Sequence, residues 1–150
     1  MTRRVLFVMD PLDSLKPYKD STLAMMKGAQ DLGFEVHYAL QSDLWLSNGK
    51  PMGRLTPITV DLTQTKNFAT LGSTAIHGLE QMDAILMRKD PPFDMEYIYT
   101  TYILDRAMEL GSLVVNHPQG LRDMNEKVYT AWFNECCAPT LITRSMTDMH

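Results

Sequence analysis

The chain has 150 residues, of which 45% are hydrophobic and 21% charged, and its formal net charge is −4. That is enough apolar material for the core of one ordinary domain, or of one domain and the start of another, and it excludes a disordered chain. No basic stripe offsets the negative charge and no apolar run nears the ~20 residues of a membrane span, so neither nucleic acid nor a membrane is expected as a partner.

Val5–Met9 (VLFVM) is a short apolar, β-rich run of the kind buried on both faces of a parallel sheet, and it ends at Asp10-Pro11. A run so short, stopped by Asp-Pro, does not read as a secretion signal. Asp20 is placed to cap a helix with Met25, Ala29 and Leu32 on one face and Gly33 at its end. Glu35–Leu40 follows as a second strand, which completes a βαβ unit with a right-handed parallel crossover. Between residues 43 and 62, Leu44-Trp45-Leu46, an Asn48-Gly49 turn and Ile58–Leu62 predict short antiparallel excursions, an insertion beside the sheet. Residues 63–80 are polar and carry Gly72 and Gly78, and part of this stretch is expected to be mobile.

The alternation then resumes. Ala84–Met87 predicts a third strand, and Asp94 caps a helix with Tyr99, Ile103, Ala107 and Leu110 on one face. Gly111 ends that helix, and Ser112–Val115 is a fourth strand. The expected fold class is therefore α/β, a small Rossmann-like parallel sheet flanked by helices. Further on, Asp123 and Glu126 have capping-box spacing ahead of a helix presenting Val128, Ala131 and Trp132. Pro139 then breaks the chain, and Thr140–Thr143 predicts a new strand.

The segment MRKDPPFD (87–94) is the richest in chemistry. It delivers Arg88, a forked donor suited to a carboxylate or phosphate, and Lys89, a point charge, from the end of a buried strand. Pro91 and Pro92 stiffen the loop by fixing their own φ angles. Asp10 and Asp90 both follow strands whose carboxyl ends should share one sheet edge, where open α/β domains bind ligands. Each can equally be a turn aspartate that satisfies backbone N–H groups. Lys16, Lys19 and Ser21 lie between the first strand and its helix, and with Arg88 and Lys89 they could form a cationic pocket for an anion. For Lys16 a solvated surface lysine is the favoured reading.

Other chemistry finds no motif. There is no GxGxxG after the first strand, no GxxxxGK[ST] phosphate loop and no GxSxG elbow. His37, His77, His117 and His150 lack metal-ligand spacing, and His37 reads as a core or sheet-face residue. Cys136 and Cys137 are adjacent and cannot staple distant segments, so a reduced, cytoplasmic protein is expected.

Several of these residues combine into something more specific. Val8-Met9-Asp10-Pro11, Lys19-Asp20-Ser21, ILMRKDPPFD (85–94), Val115-Asn116-His117-Pro118-Gln119 and LRDMNEK (121–127) occur in an order and spacing that resembles prokaryotic glutathione synthetase. The resemblance runs from about residue 5 to about residue 144 and is weakest across 50–80. His117 stands where many relatives have lysine.

The resemblance implies an ATP-grasp ligase that joins γ-glutamylcysteine to glycine with ATP and magnesium, through an acyl phosphate on the cysteinyl carboxylate. It also implies a homo-oligomer. Residues 1–122 would be a pre-ATP-grasp N-terminal domain, and 123–150 the incomplete beginning of the ATP-grasp central lobe. Lys127, otherwise a solvated lysine, matches a nucleotide-binding lysine of that family. Arg88, Asp10, Ser21, Lys19 and Asp90 are the candidates for the peptide-substrate side. The family's magnesium ligands, glycine-rich ATP loop and second nucleotide lysine would lie beyond residue 150. The chain alone is therefore expected to be inactive, and the competing expectation is a standalone, non-catalytic binding or oligomerisation module of the same fold.

Overall fold

The computed structural model describes residues 2–124 and 127–149. In chain order its first half holds β1 (Arg4–Val8), α1 (Ser21–Asp31), β2 (Glu35–Ala39), β3 (Leu44–Ser47) and β4 (Lys50–Val60). The second holds β5 (Ala69–Leu71), β6 (Ala75–Gly78), β7 (Ala84–Met87), α2 (Met95–Glu109), β8 (Leu113–Val115) and α3 (Pro118–Asp123). The sheet runs β3-β4-β2-β1-β7-β8, with β2, β1, β7 and β8 parallel as the βαβ alternation predicts.

The middle of the chain departs from expectation. It is not an insertion beside the sheet but part of it: β4 pairs antiparallel with β2 and carries β3, β5 and β6, so the sheet is mixed. β4 is one strand of 11 residues although Pro51 and Pro57 lie within it. Pro57 cannot donate to a ladder, but it can accept, and its carbonyl takes the Gly72 N–H at 2.8 Å. Seven residues of the 63–80 stretch pair with β4 as β5 and β6. The hairpin turn was legible: Asn48 and Gly49 have φ of 50° and 76°, the positive pair that a tight Asn-Gly turn demands.

Side-chain alternation on β1 divides the core between two faces. Val5, Phe7 and Met9 pack with Leu23 and Met26 of α1, while Leu6 and Val8 pack with Tyr97, Leu104 and Ala107 of α2. Both helices start where predicted, since Asp20 accepts from Thr22 N and Leu23 N and Asp94 accepts from Tyr97 N. Their buried faces overlap the predicted ones only in part: Ala107 is buried and Ala29 and Ile103 pack against the core, but the other predicted positions do not. Met25 is 44% exposed, Leu32 79% and Tyr99 60%, whereas Thr22, Leu23 and Met26 of α1 and Tyr97, Thr100, Thr101 and Leu104 of α2 are buried. The buried threonines are accommodated because Thr100 and Thr101 donate to Glu96 O and Ile98 O in the preceding turn.

His37 lies on the α2 side, opposite Leu6, and is fully buried. Its Nε2 is 3.3 Å from Glu35 Oε1, and its Nδ1 has no partner among the described residues. Burial holds its pKa below the ordinary value; Glu35 pulls upward, while His77, in edge contact, and Arg4 push down. Above about pH 6.5 the imidazole is neutral in both folded and unfolded chains, and stability is full. Below that, the unfolded chain takes up the proton while the fold resists, so stability falls until the pH passes the lowered folded value. Urea unfolding at about pH 7.5 and about pH 5.5 should show the midpoint dropping, and His37→Phe should flatten the decline. A wild-type midpoint that does not move would contradict this.

The C-terminal stretch also departs from expectation. No helix begins at Asp123; that residue ends α3, and the described residues beyond it form short 3-10 turns at Val128–Trp132, Asn134–Cys136 and Thr147–Met149. Asn125, Glu126 and His150 lie outside the described residues, and with them the capping partner of Asp123. Thr140–Thr143 is not a strand: it pairs with nothing in the sheet, and Leu141 and Ile142 are exposed. A lone extended segment without ladder partners gains too little to order itself as a strand.

Candidate functional site

Parallel pairing of β2, β1, β7 and β8 brings their carboxyl ends to one edge, and the loops after β1 and β7 meet there. Beyond β7 the chain remains stitched to β1, because Arg88 N donates to Val8 O at 2.7 Å. The strand's alternation therefore carries on into the loop. Arg88 and Asp90 line a cleft of about 500 Å³ on the α1 side. Lys89, Pro91 and Phe93 line a second, mainly apolar cleft of about 590 Å³ on the α2 side, with Tyr97, His117 and Leu121.

The first cleft gathers five of the six sequence-predicted site residues, Asp10, Lys19, Ser21, Arg88 and Asp90, together with Lys16, Asp20 and Thr22. Lys127 is exposed and lines neither cleft.

The carboxylates here are largely committed. Asp10 binds Lys89 Nζ through Oδ1 at 2.8 Å and accepts the Asp90 N–H on Oδ2 at 2.8 Å, so it latches the loop after β1 to the loop after β7. Asp20 spends its Oδ1 on Thr22 N and Leu23 N at 2.8 and 3.0 Å. The positive end of α1 thus already faces a carboxylate, which leaves anion recognition to side chains. Lys16 and Lys19 are exposed and make no side-chain bond among the described residues.

Arg88 is held from one side. Its Nε donates to Thr22 Oγ1 at 3.2 Å and its Nη2 to Ser21 Oγ at 2.9 Å. Of the five guanidinium N–H groups, the remaining ones have no protein acceptor among the described residues. Such an edge suits a carboxylate, which needs two parallel donors.

Sequence reasoning named Arg88, Asp10 and Ser21 but missed Thr22, whose helix-interior position gave no signal. It also left out the second cleft, which the odd-even alternation past Met87 could have revealed. Arg122, in the LRDMNEK segment, turns out to brace α3 on α2: its Nη1 bonds Asp105 at 2.8 Å and Thr101 Oγ1 at 2.9 Å, and its guanidinium lies 4.6 Å over the Tyr102 ring.

Comparison with known proteins is specific. The sequence profile for the N-terminal domain of prokaryotic glutathione synthetase matches residues 4–122. The glutathione synthetase of Citrobacter rodentium is 48% identical over 142 residues, which cover 95% of this chain and 45% of that protein. That of Vibrio parahaemolyticus is 50% identical over 138 residues, 91% of this chain and 43% of the relative. The Shewanella oneidensis protein is 46% identical over 137 residues, with coverage of 91% and 43%. The chain thus spans a little under half the length of these relatives.

Proposed function

The chain belongs to the prokaryotic glutathione synthetase family, corresponding to its N-terminal domain, and from that premise we propose that it supplies the peptide-substrate side of an ATP-dependent carbon–nitrogen ligase. The reaction joins γ-glutamylcysteine to glycine. ATP passes its γ-phosphoryl group to the cysteinyl carboxylate, giving ADP and an acyl phosphate, and the glycine amine then displaces phosphate to form the amide. Arg88 is proposed to hold a carboxylate of the dipeptide, with Lys16 and Lys19 adding positive potential at the mouth of the cleft. Asp10 acts as the latch that keeps the Arg88 loop in place, and Ser21 as one of its supports. Asp90, exposed and beside Arg88, is proposed to meet the dipeptide's ammonium group.

Lys127 is proposed as a nucleotide contact. Among the described residues no three His, Cys, Asp or Glu side chains come together as a metal site, so magnesium would be held by residues outside them. A cytoplasmic location and a homo-oligomeric state belong to the same proposal; no helix among the described residues is long and apolar enough to cross a membrane.

The single observation that carries the reading is the Arg88 guanidinium with an uncommitted edge in a cleft at the carboxyl ends of the strands. Titrating γ-glutamylcysteine into the 150-residue chain should release heat and saturate at one site. The same chain supplied with ATP, magnesium and both substrates should liberate no phosphate. Absence of binding heat, or steady turnover, would overturn the corresponding half of the proposal. The alternative of a standalone module called for Thr140–Thr143 to join the main sheet, and that segment does not.

A further inference from the structure

We propose that Thr22 is a positioning residue of this site: by accepting the Arg88 Nε–H it fixes the guanidinium plane, so that an incoming carboxylate is met end-on by the Nη1/Nη2 edge. This rests on the reading of Arg88 as the dipeptide anchor and extends it to the residue that aims it.

The argument starts from the geometry of the fork. A guanidinium can bind a carboxylate through its Nε/Nη2 edge or through its Nη1/Nη2 edge. Here the first edge is occupied, because Nε bonds Thr22 Oγ1 and Nη2 bonds Ser21 Oγ, on adjacent residues of the first turn of α1. Only the outer edge remains.

The two hydroxyls are not equivalent supports. Ser21 is exposed and unbranched at Cβ, whereas Thr22 is 6% exposed and branched there, so its χ1 is restricted. The Thr22 backbone is fixed as well, since its N–H is taken by the Asp20 carboxylate at 2.8 Å. A buried hydroxyl on a capped helix end is the better reference point for a side chain that must stay aimed. The opposite end of the arginine is equally constrained through Arg88 N and Val8 O. The arginine is thus pinned at its backbone and at Nε, and its outer edge is left for the ligand.

Three variants test this by dipeptide calorimetry on the 150-residue chain. Thr22→Val keeps shape and removes the acceptor, and should weaken γ-glutamylcysteine binding about ten-fold, the scale of one net hydrogen bond. Thr22→Ser restores an acceptor and should recover most of the affinity. In an Arg88→Lys background, which lacks the Nε–H, Thr22→Val should cost no further affinity, whereas a purely structural role would cost the same in both backgrounds.

A readout without ligand separates this inference from the reading beneath it. The Arg88 Nε–H proton should exchange with solvent at least about ten-fold faster in Thr22→Val than in wild type, since the bond that protects it is gone. Unchanged exchange and unchanged affinity in Thr22→Val would overturn the inference while leaving Arg88 as anchor. Faster exchange, with affinity insensitive to both Thr22 and Arg88, would show the clamp but remove the site it was held to serve, and the positioning role would fall with it.

Discussion

Arg88→Ala should weaken γ-glutamylcysteine binding by about 100-fold or more, enough to eliminate the calorimetric signal at ordinary concentrations. The expectation follows from what the side chain does in the cleft. Two charge-assisted hydrogen bonds to one carboxylate are together worth about 3 kcal/mol, and a lysine, as a point charge, cannot reproduce the paired fork. Lys89 is spoken for by Asp10, and Lys16 and Lys19 are exposed. Arg88→Lys should fall between wild type and alanine, because it keeps the charge but not the planar fork. Lys16→Ala should change affinity less than about three-fold, as expected of a screened surface charge. Folding should survive all three, since the bonds lost with Arg88 lie at a partly exposed rim and cost about 1 kcal/mol. Unchanged heat in Arg88→Ala would remove this residue from the site.

A substitution one layer deeper should do the opposite, damaging the fold more than the cleft. Leu6→Ala is expected to destabilise the chain by about 3–5 kcal/mol, the upper part of the range for buried leucine. Leu6 is 0% exposed on the central strand, with β2 on one side and β7 on the other. Its cluster includes Leu55, Leu79 and Leu104, which come from three other elements. Four anchored elements cannot easily collapse into the space left by the lost methyls, so the cavity persists and its full cost is felt. Small domains have only about 5–15 kcal/mol in total, so urea unfolding should show a large shift in midpoint. Leu113→Ala on the outer strand β8, where the side chain is 62% exposed, should stay within about 0.5 kcal/mol. A loss below about 1 kcal/mol for Leu6→Ala would mean that the core closes around the gap.

The features legible from sequence share a short physical range. Caps at Asp20 and Asp94, the Asn48-Gly49 turn and the wholly apolar strands are set by one residue and its near neighbours, and the structure has them where the pattern puts them. The phase of each helix was legible only in part: Ala29, Ile103 and Ala107 face the core as expected, but Met26 and Thr100 take the interior where Met25 and Tyr99 were expected, and only the tertiary frame decides that. β4 was misread for a related reason. Pro57 looks like a strand breaker in isolation, and it is tolerated because a particular partner, Gly72, needs only an acceptor. Thr140–Thr143 failed in the other direction, since β propensity without a ladder partner does not make a strand. Within the candidate site, the residues at strand ends could be found by position, while Thr22 could not, because its role exists only once Arg88 crosses to the first turn of α1.

The odd-even division of the MRKDPPFD loop has a consequence for how this segment tolerates change. Arg88 and Asp90 line one cleft and Lys89, Pro91 and Phe93 the other, so even and odd positions divide between the two. Replacing Arg88 edits the first cleft alone, whereas replacing Lys89 also releases Asp10, which lines the first. Adding or deleting one residue just after Met87 would exchange the contents of both at once, sending the arginine to the apolar side and an unpartnered lysine to the anion side. Spacing, more than the identity of any one side chain, is therefore what this loop has to preserve.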